Sequence, residues 1–305
     1  MLAQRTSVVV PAGAGEADWI LGHRVTFKLG PEQTGGAFSL AETRVARGGG
    51  PPPHLHRQEE EMFYILDGEL DLVLGDAKLR GGEGHVQFLP RRVMHAFNNP
   101  AEREAKFLVF AMPCGFEKFI AAVAAPVAKF GENQPPPTAE VIQKIQDLIP
   151  TFGVEMHPEH QTTRQAAATV LDRRMQVLGV EVILKAGSAE TGGAFCVAEV
   201  IIPQGGGTPL HAHDDEDEVY YVIDGEVEFR LAGRVATAPP GTTVYVPRGQ
   251  FHTLRNLGTK PARLADVHTP GGFETFFEEA SHLEPAATIE RVRTVLRKHG
   301  MSLRS

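Results

Sequence analysis

The hydrophobic pattern along this chain is mainly that of strands. In Glu69-Leu70-Asp71-Leu72-Val73-Leu74 and in Val227-Glu228-Phe229-Arg230-Leu231 the apolar positions recur at a period of two. That period lays one apolar face along a sheet. Glycine or proline interrupts such runs roughly every eight to twelve residues, the spacing of an antiparallel sandwich or small barrel. Helical periodicity is confined to four windows, about 115–125, 138–149, 272–283 and 287–298. They fall in two pairs, each following a strand-rich stretch.

The pairing has a cause, because the chain repeats itself. Gly35-Gly36-Ala37-Phe38 recurs as Gly192-Gly193-Ala194-Phe195, and Gly48-Gly49-Gly50 as Gly205-Gly206-Gly207, both at an offset of 157. Laid over 179–256 without a gap, residues 22–99 match at 29 of 78 positions. After Pro270-x-Gly272-Phe273-Glu274, which still matches Pro113-x-Gly115-Phe116-Glu117, the offset shortens to 147: Lys144-Ile145-x-x-Leu148 resembles Arg291-Val292-x-x-Val295, and Gly153 pairs with Gly300. Each copy is thus a strand-rich body with a helical tail. The expected domains are 1–153 and 171–305, with the polar stretch 154–170 as linker and Gln134-Pro135-Pro136-Pro137 parting the first body from its tail helix.

Composition narrows the classes. With 32 Gly and 22 Pro in 305 residues, a mostly helical chain is excluded, and 42% hydrophobic residues argue against disorder. A net charge of −8 argues against nucleic acid and against an anionic membrane surface. Cys114 and Cys196 lie in no metal or disulfide pattern and read as small buried hydrophobes. No stretch is apolar enough to span a bilayer and the first residues do not resemble a secretion signal, so a cytoplasmic protein is expected. Exposed strand edges make a homodimer through Ser7-Val8-Val9-Val10 a further expectation.

The candidate chemistry sits inside the repeat. The first copy reads Gly48-x5-His54-x-His56-x4-Glu61-x6-Gly68, the second Gly205-x5-His211-x-His213-x4-Glu218-x6-Gly225. A later histidine also repeats, in Gly84-x5-Pro90-x4-His95-x3-Asn99 and Gly241-x5-Pro247-x4-His252-x3-Asn256. Histidines at i and i+2 of a strand share a face, and the hairpin closed by Gly68 or Gly225 brings the glutamate back over them. Three imidazoles and one carboxylate suit a divalent first-row ion with open positions. A chance His-x-His pair is usually an exposed or capping pair, but three ligand positions recurring at one offset are not chance. The neighbouring acids, Glu59, Glu60, Asp214, Asp215, Glu216 and Asp217, read as a solvated rim. The other histidines, including His23, His85, His268, His282 and His299, have no counterpart in the other copy and read as structural or surface residues.

These two motifs resemble those of the cupin superfamily, in both halves of the chain. The one departure is Arg92 in the second motif of the first copy, where the family usually has glycine and the second copy has Gly249. The resemblance implies an all-β chain of two tandem jelly-roll barrels, a bicupin, with one divalent transition metal in each. Manganese, iron, cobalt, nickel, copper and zinc all tolerate the set His54, His56, Glu61, His95 and its copy His211, His213, Glu218, His252. Residues of matching parity place Phe63, Ile65, Phe97 and Tyr220, Val222, Leu254 around the metals, which suits an apolar or aromatic small molecule. In size and ligand sets the chain looks most like quercetin 2,3-dioxygenase-type bicupins. That likeness implies O2 as co-substrate and Glu61 and Glu218 as catalytic proton acceptors. Oxalate decarboxylase or oxidase, an isomerase or lyase, and a non-catalytic binder are the alternatives. Oxalate enzymes usually carry an arginine just before the first histidine, where this chain has Pro51-Pro52-Pro53 and Thr208-Pro209-Leu210.

Overall fold

A computed structural model describes residues 5–131, 138–156, 171–284 and 288–304. The run 134–137 and most of the expected linker, 157–170, lie outside the described residues. The chain divides into two compact units, Gly15–Thr169 and Met1–Ala14 with Val170–Ser305.

Each unit is a pair of facing antiparallel sheets, a jelly-roll arrangement in which the two sheets do not close into one continuous barrel. In the first unit a seven-stranded sheet runs Ala125–Pro126, Glu16–Ile20, His23–Leu29, Ser39–Val45, Ala105–Met112, Glu60–Asp67, Val86–Leu89. The facing sheet runs Val154–Met156, His54–His56, His95–Asn98, Leu70–Leu74, Ala77–Gly81. The period of two explains the core: Phe63, Ile65 and Phe107 from one sheet pack on Leu70, Leu72 and Leu74 from the other.

The second unit repeats the plan. Its larger sheet runs Val8–Val10, Thr243–Val246, Asp217–Asp224, Ala262–Thr269, Cys196–Ile202, Val180–Ala186, Arg173–Val177. Opposite, Met301–Leu303 pairs with His211–His213, and Val227–Leu231 pairs with both Arg234–Ala238 and Thr253–Asn256. A single bridge, His211 to His252, links these two pieces as His54 to His95 does in the first unit.

All four expected helical windows are helices: Phe116–Val123, Ala139–Leu148, Glu274–Ser281 and Ile289–Lys298. Thr138 and Thr288 cap the later helix of each pair, accepting from the amides of Val141 and Arg291. The tail does not end in a linker at residue 154. Val154–Met156 is a strand in register with His54–His56, and Met301–Leu303 does the same for His211–His213. Three residues were too short a run to register as a strand from periodicity alone. Among the described residues no helix is long and apolar enough to cross a membrane.

The N-terminal segment departs from the expected boundary. Val8–Val10 lies beside Thr243–Tyr245 in the second unit, and Arg5 ion-pairs with Asp217 and donates to the Tyr245 hydroxyl at 2.9 Å. The strand that suggested dimerisation is therefore paired within its own chain. Asp217 has no exposed surface and also accepts from the Arg248 amide and Nε, both at 3.0 Å. Burial pushes its carboxyl up, but the Arg248 and Arg5 donors outweigh burial and hold it low. Deleting residues 1–14 removes three ladder residues and leaves Asp217 short of a cation. The expected result is a second unit weaker by about 2–4 kcal/mol, with the first unit unchanged. Domain-resolved calorimetry or hydrogen exchange checks it.

Candidate metal centres

Four side chains of the first unit converge from three strands. His54 and His56 lie two apart on one strand, His95 stands directly across from His54, and Glu61 reaches over from the facing sheet. His56 Nε2 is 3.5 Å and His95 Nε2 3.2 Å from Glu61 Oε2. In the second unit His213 Nε2 is 3.4 Å and His252 Nε2 2.7 Å from Glu218 Oε2. All ligating atoms of each four-residue set lie within 4.8 Å of one another.

The backbone prepares these rings for a cation. His54 and His95 face the carbonyls of Pro52 and Val93 through Nδ1, each at 3.0 Å. His211 and His252 do the same with Pro209 at 2.8 Å and Gln250 at 3.1 Å. An Nδ1–H donated to a carbonyl leaves Nε2 as a lone pair aimed into the cluster. The remaining histidine of each set has a glutamate behind it, the buried Glu59 at 3.8 Å from His56 Nδ1 and the partly buried Glu216 at 3.9 Å from His213 Nδ1. Inside each cluster the Nε2 atoms of His56, His95, His213 and His252 are buried and unpartnered, as is Glu218 Oε2. Inward-facing lone pairs that nothing in the protein satisfies fit a divalent ion.

Electrostatics agree with that fit. Burial holds His56 down at about 4 and His211 at about 3, so these rings stay neutral ligands in mildly acidic solution. Burial alone would raise Glu61, but the His56 and His95 rings outweigh it and hold the carboxyl at about 2. Glu218 is likewise held down by His213 and His252 against burial.

The motif glycines serve backbone approach. A Cβ on Gly50 would lie 1.9 Å from the Phe97 carbonyl oxygen and one on Gly207 2.1 Å from that of Leu254, so only glycine lets the loop pass the third-histidine strand. Arg92 keeps the turn that Gly249 makes in the second copy. Both have positive φ, 63° and 76°, and their amides donate to the carbonyls of His56 and His213.

Each cluster opens on a cavity. The first, about 950 Å³ with its mouth, is walled by Phe63, Phe97, Phe107, Phe116, Val109 and Ala111 among others, with His54, His56 and Glu61 at its end. The second, about 650 Å³ with its mouth, carries Tyr220, Leu254, Phe273 and Asp266 beside His211, His213 and Glu218. Ile65 and Val222, expected in these walls by parity, are fully buried in the core instead. They share the face but sit farther along the strand from the glutamate. The acidic rim is only partly solvated: Glu59 and Asp217 are buried, Glu60 and Glu216 are half-buried with Glu60 paired to Arg91, and Asp214 and Asp215 are exposed.

His268, which in sequence reads as a structural or surface residue, is the largest departure. It is completely buried, stacks on Phe273 with ring centroids 4.0 Å apart, and lies 3.6 Å from Glu218 Oε1 and 3.2 Å from Asp266 Oδ2. Burial opposes its proton, yet Asp266 and Glu218 outweigh burial and raise it to about 9, while burial raises Asp266 to about 6. The available signal was two polar residues, Asp266 and His268, alternating within an apolar strand whose first-copy counterparts are Val109 and Ala111.

His23 is a further buried histidine, on the wall of the first cavity, with Nε2 unpartnered and burial holding it at about 4. Its ordinary value is 6.5, so an unfolded chain takes up a proton that the folded chain refuses. Stability is full above pH 6.5 and falls as pH drops towards 4, by about 3 kcal/mol from this group. Urea titrations across that range should therefore show His23→Phe losing less stability than the parent.

Comparison with known proteins agrees with this geometry. The cupin domain family matches residues 41–111 and 198–268, spanning the ligand strands of each unit. Quercetin 2,3-dioxygenase of Bacillus subtilis is 22% identical over 293 residues, 90% of this chain and 86% of that protein. The oxalate-binding protein of Thermotoga maritima is 31% identical over 61 residues, 20% of this chain and half of that protein. Among solved structures, Bacillus subtilis oxalate decarboxylase with its Mn(II) centres superposes with a TM-score of 0.63 at 17% identity, covering all of this chain and 90% of its own. With a cupin domain in each half and a His3Glu set in each domain, the chain is a bicupin of the cupin superfamily.

Proposed function

We propose that this bicupin is a metal-dependent dioxygenase acting on a hydroxylated aromatic small molecule of the flavonol type. The observation that carries the reading is the first cavity, whose aromatic and aliphatic walls meet His54, His56 and Glu61 directly. Such a wall takes up a flat ring system and excludes water around it. The likeness to quercetin 2,3-dioxygenase over most of both chains supports the same substrate class.

A bound divalent ion would acidify a substrate hydroxyl and bring it together with O2. The protein's part follows from its own groups. Glu61 and Glu218 are the carboxylates among the ligands, and each takes the hydroxyl proton at a carboxylate oxygen. Phe63, Phe97 and Phe116 line the first cavity and offer aromatic surface to such a ring beside His54 and His56. Tyr220 replaces Phe63 in the second unit and lines the cavity beside Glu218.

Oxalate decarboxylation is the second reading, favoured by the fold shared with oxalate decarboxylase. Against it, no lysine or arginine is among the described residues lining either cavity, so a dicarboxylate would have no cation for its distal end. An oxygen electrode separates the two. Oxygen uptake that requires both metal and a flavonol supports the proposal; CO2 release from oxalate without net oxygen consumption replaces it.

A further inference from the structure

The two centres share a ligand set but differ in what stands beside the carboxylate. In the first unit Glu61 lies across from Ala111, and Phe63 from Val109. In the second Glu218 lies across from His268, and Tyr220 from Asp266. Two apolar positions of one strand have become an acid and an imidazole.

Asp266 is the group this change turns towards the cavity. It is 4% exposed and lines the space beside His211, His213 and Glu218. Its Oδ2 is occupied by His268 Nε2 at 3.2 Å, while Oδ1 is buried without a hydrogen-bond partner. His268 is itself held between Phe273 and Phe277, with ring centroids 4.0 and 6.0 Å away, so the carboxylate is fixed in direction. A buried acceptor left open at a cavity wall is costly unless a ligand's donor fills it. The first cavity distributes its polarity differently: Ser39 and Thr43 line it where the second unit has Cys196 and Val200, and His23 stands in place of Val180.

We infer that the two cavities select different ligands. The second takes a molecule whose hydroxyl or amine donates to Asp266 Oδ1 while another of its groups faces the His211–His213–Glu218–His252 set. The first, with Val109 at that place, takes a molecule with an apolar edge there. The inference rests on reading both His–Glu sets as metal centres and not on the oxygenase reaction.

The test uses cobalt-loaded full-length protein with one centre disabled at a time, His54→Ala with His56→Ala, or His211→Ala with His213→Ala. The probes are 4-phenylimidazole and its three hydroxyphenyl isomers, whose imidazole nitrogen binds cobalt whatever the natural substrate is. Binding is read from the visible cobalt spectrum. At the second centre at least one hydroxyphenyl isomer should bind about tenfold more tightly than the parent probe, as a hydrogen bond to a charged acceptor allows. At the first centre the hydroxyl should bring no gain. Asp266→Val should abolish the gain, Asp266→Asn should keep part of it, and Val109→Asp should create it at the first centre.

Equal binding of all four probes at the second centre overturns the inference, as does a gain that survives Asp266→Val. Where Asp266→Val does not hold cobalt, Val109→Asp decides, and no gain there overturns it. Cobalt binding at neither centre overturns the metal reading and this inference together. A hydroxyl-dependent gain without flavonol-dependent oxygen uptake supports the inference and removes only the oxygenase.

Discussion

Replacing Phe273 by alanine is expected to destabilise the second unit by about 3–5 kcal/mol and to empty its metal centre while sparing the first. Phe273 is 4% exposed, and its ring lies 4.0 Å from His268, 4.7 Å from His213 and 5.0 Å from both Phe276 and Phe277, centroid to centroid. Removing it opens a void against a ligand histidine and frees His268 to turn away from Glu218. For a domain of this size such a loss lowers the melting temperature by roughly 10 °C. The counterpart, Phe116, is only half-buried and meets His56 at 5.3 Å, so Phe116→Ala should cost less. Calorimetry with metal analysis of both variants reads the difference; equal, small losses would mean the ring does not support the centre.

The second large effect concerns the carboxylates. Glu61→Gln and Glu218→Gln keep size and an acceptor oxygen but remove the charge and the basic site. Flavonol-dependent oxygen uptake at the altered centre is expected to fall by about 100-fold or more, and the double variant to lose essentially all turnover. Normalising to bound metal separates lost chemistry from lost ion, since a neutral amide is also a weaker ligand. A double variant that keeps more than about a tenth of the turnover per bound ion would show that the proton goes elsewhere.

Much of this site was legible because the duplication acts as an internal control. His54, His56, Glu61 and His95 are each matched at one offset, so a pattern that is weak once becomes strong twice. The same comparison hid the asymmetry. Repetition marks only residues present in both copies, and His268 corresponds to Ala111, so the residue that distinguishes the centres carries no repeat signal. Parity puts Phe63, Phe97, Tyr220 and Leu254 on the face that lines the cavities but says nothing about depth along a strand, which is why Ile65 and Val222 fall in the core. Charge misled at Asp217, because an acid buried against Arg5 and Arg248 looks in sequence like any other member of an acidic run. The partners of Val8–Val10 and Val154–Met156 lie far off in the chain, and short strands carry too little periodicity to declare them.

Metal stoichiometry tests the central claim most directly, that each unit holds its own His3Glu centre. Elemental analysis after dialysis against a divalent transition metal should give close to two ions per chain. It should give one after His54→Ala with His56→Ala, one after His211→Ala with His213→Ala, and none when all four are replaced. A parent protein that holds no metal, or a fourfold variant that still holds two ions, would contradict it.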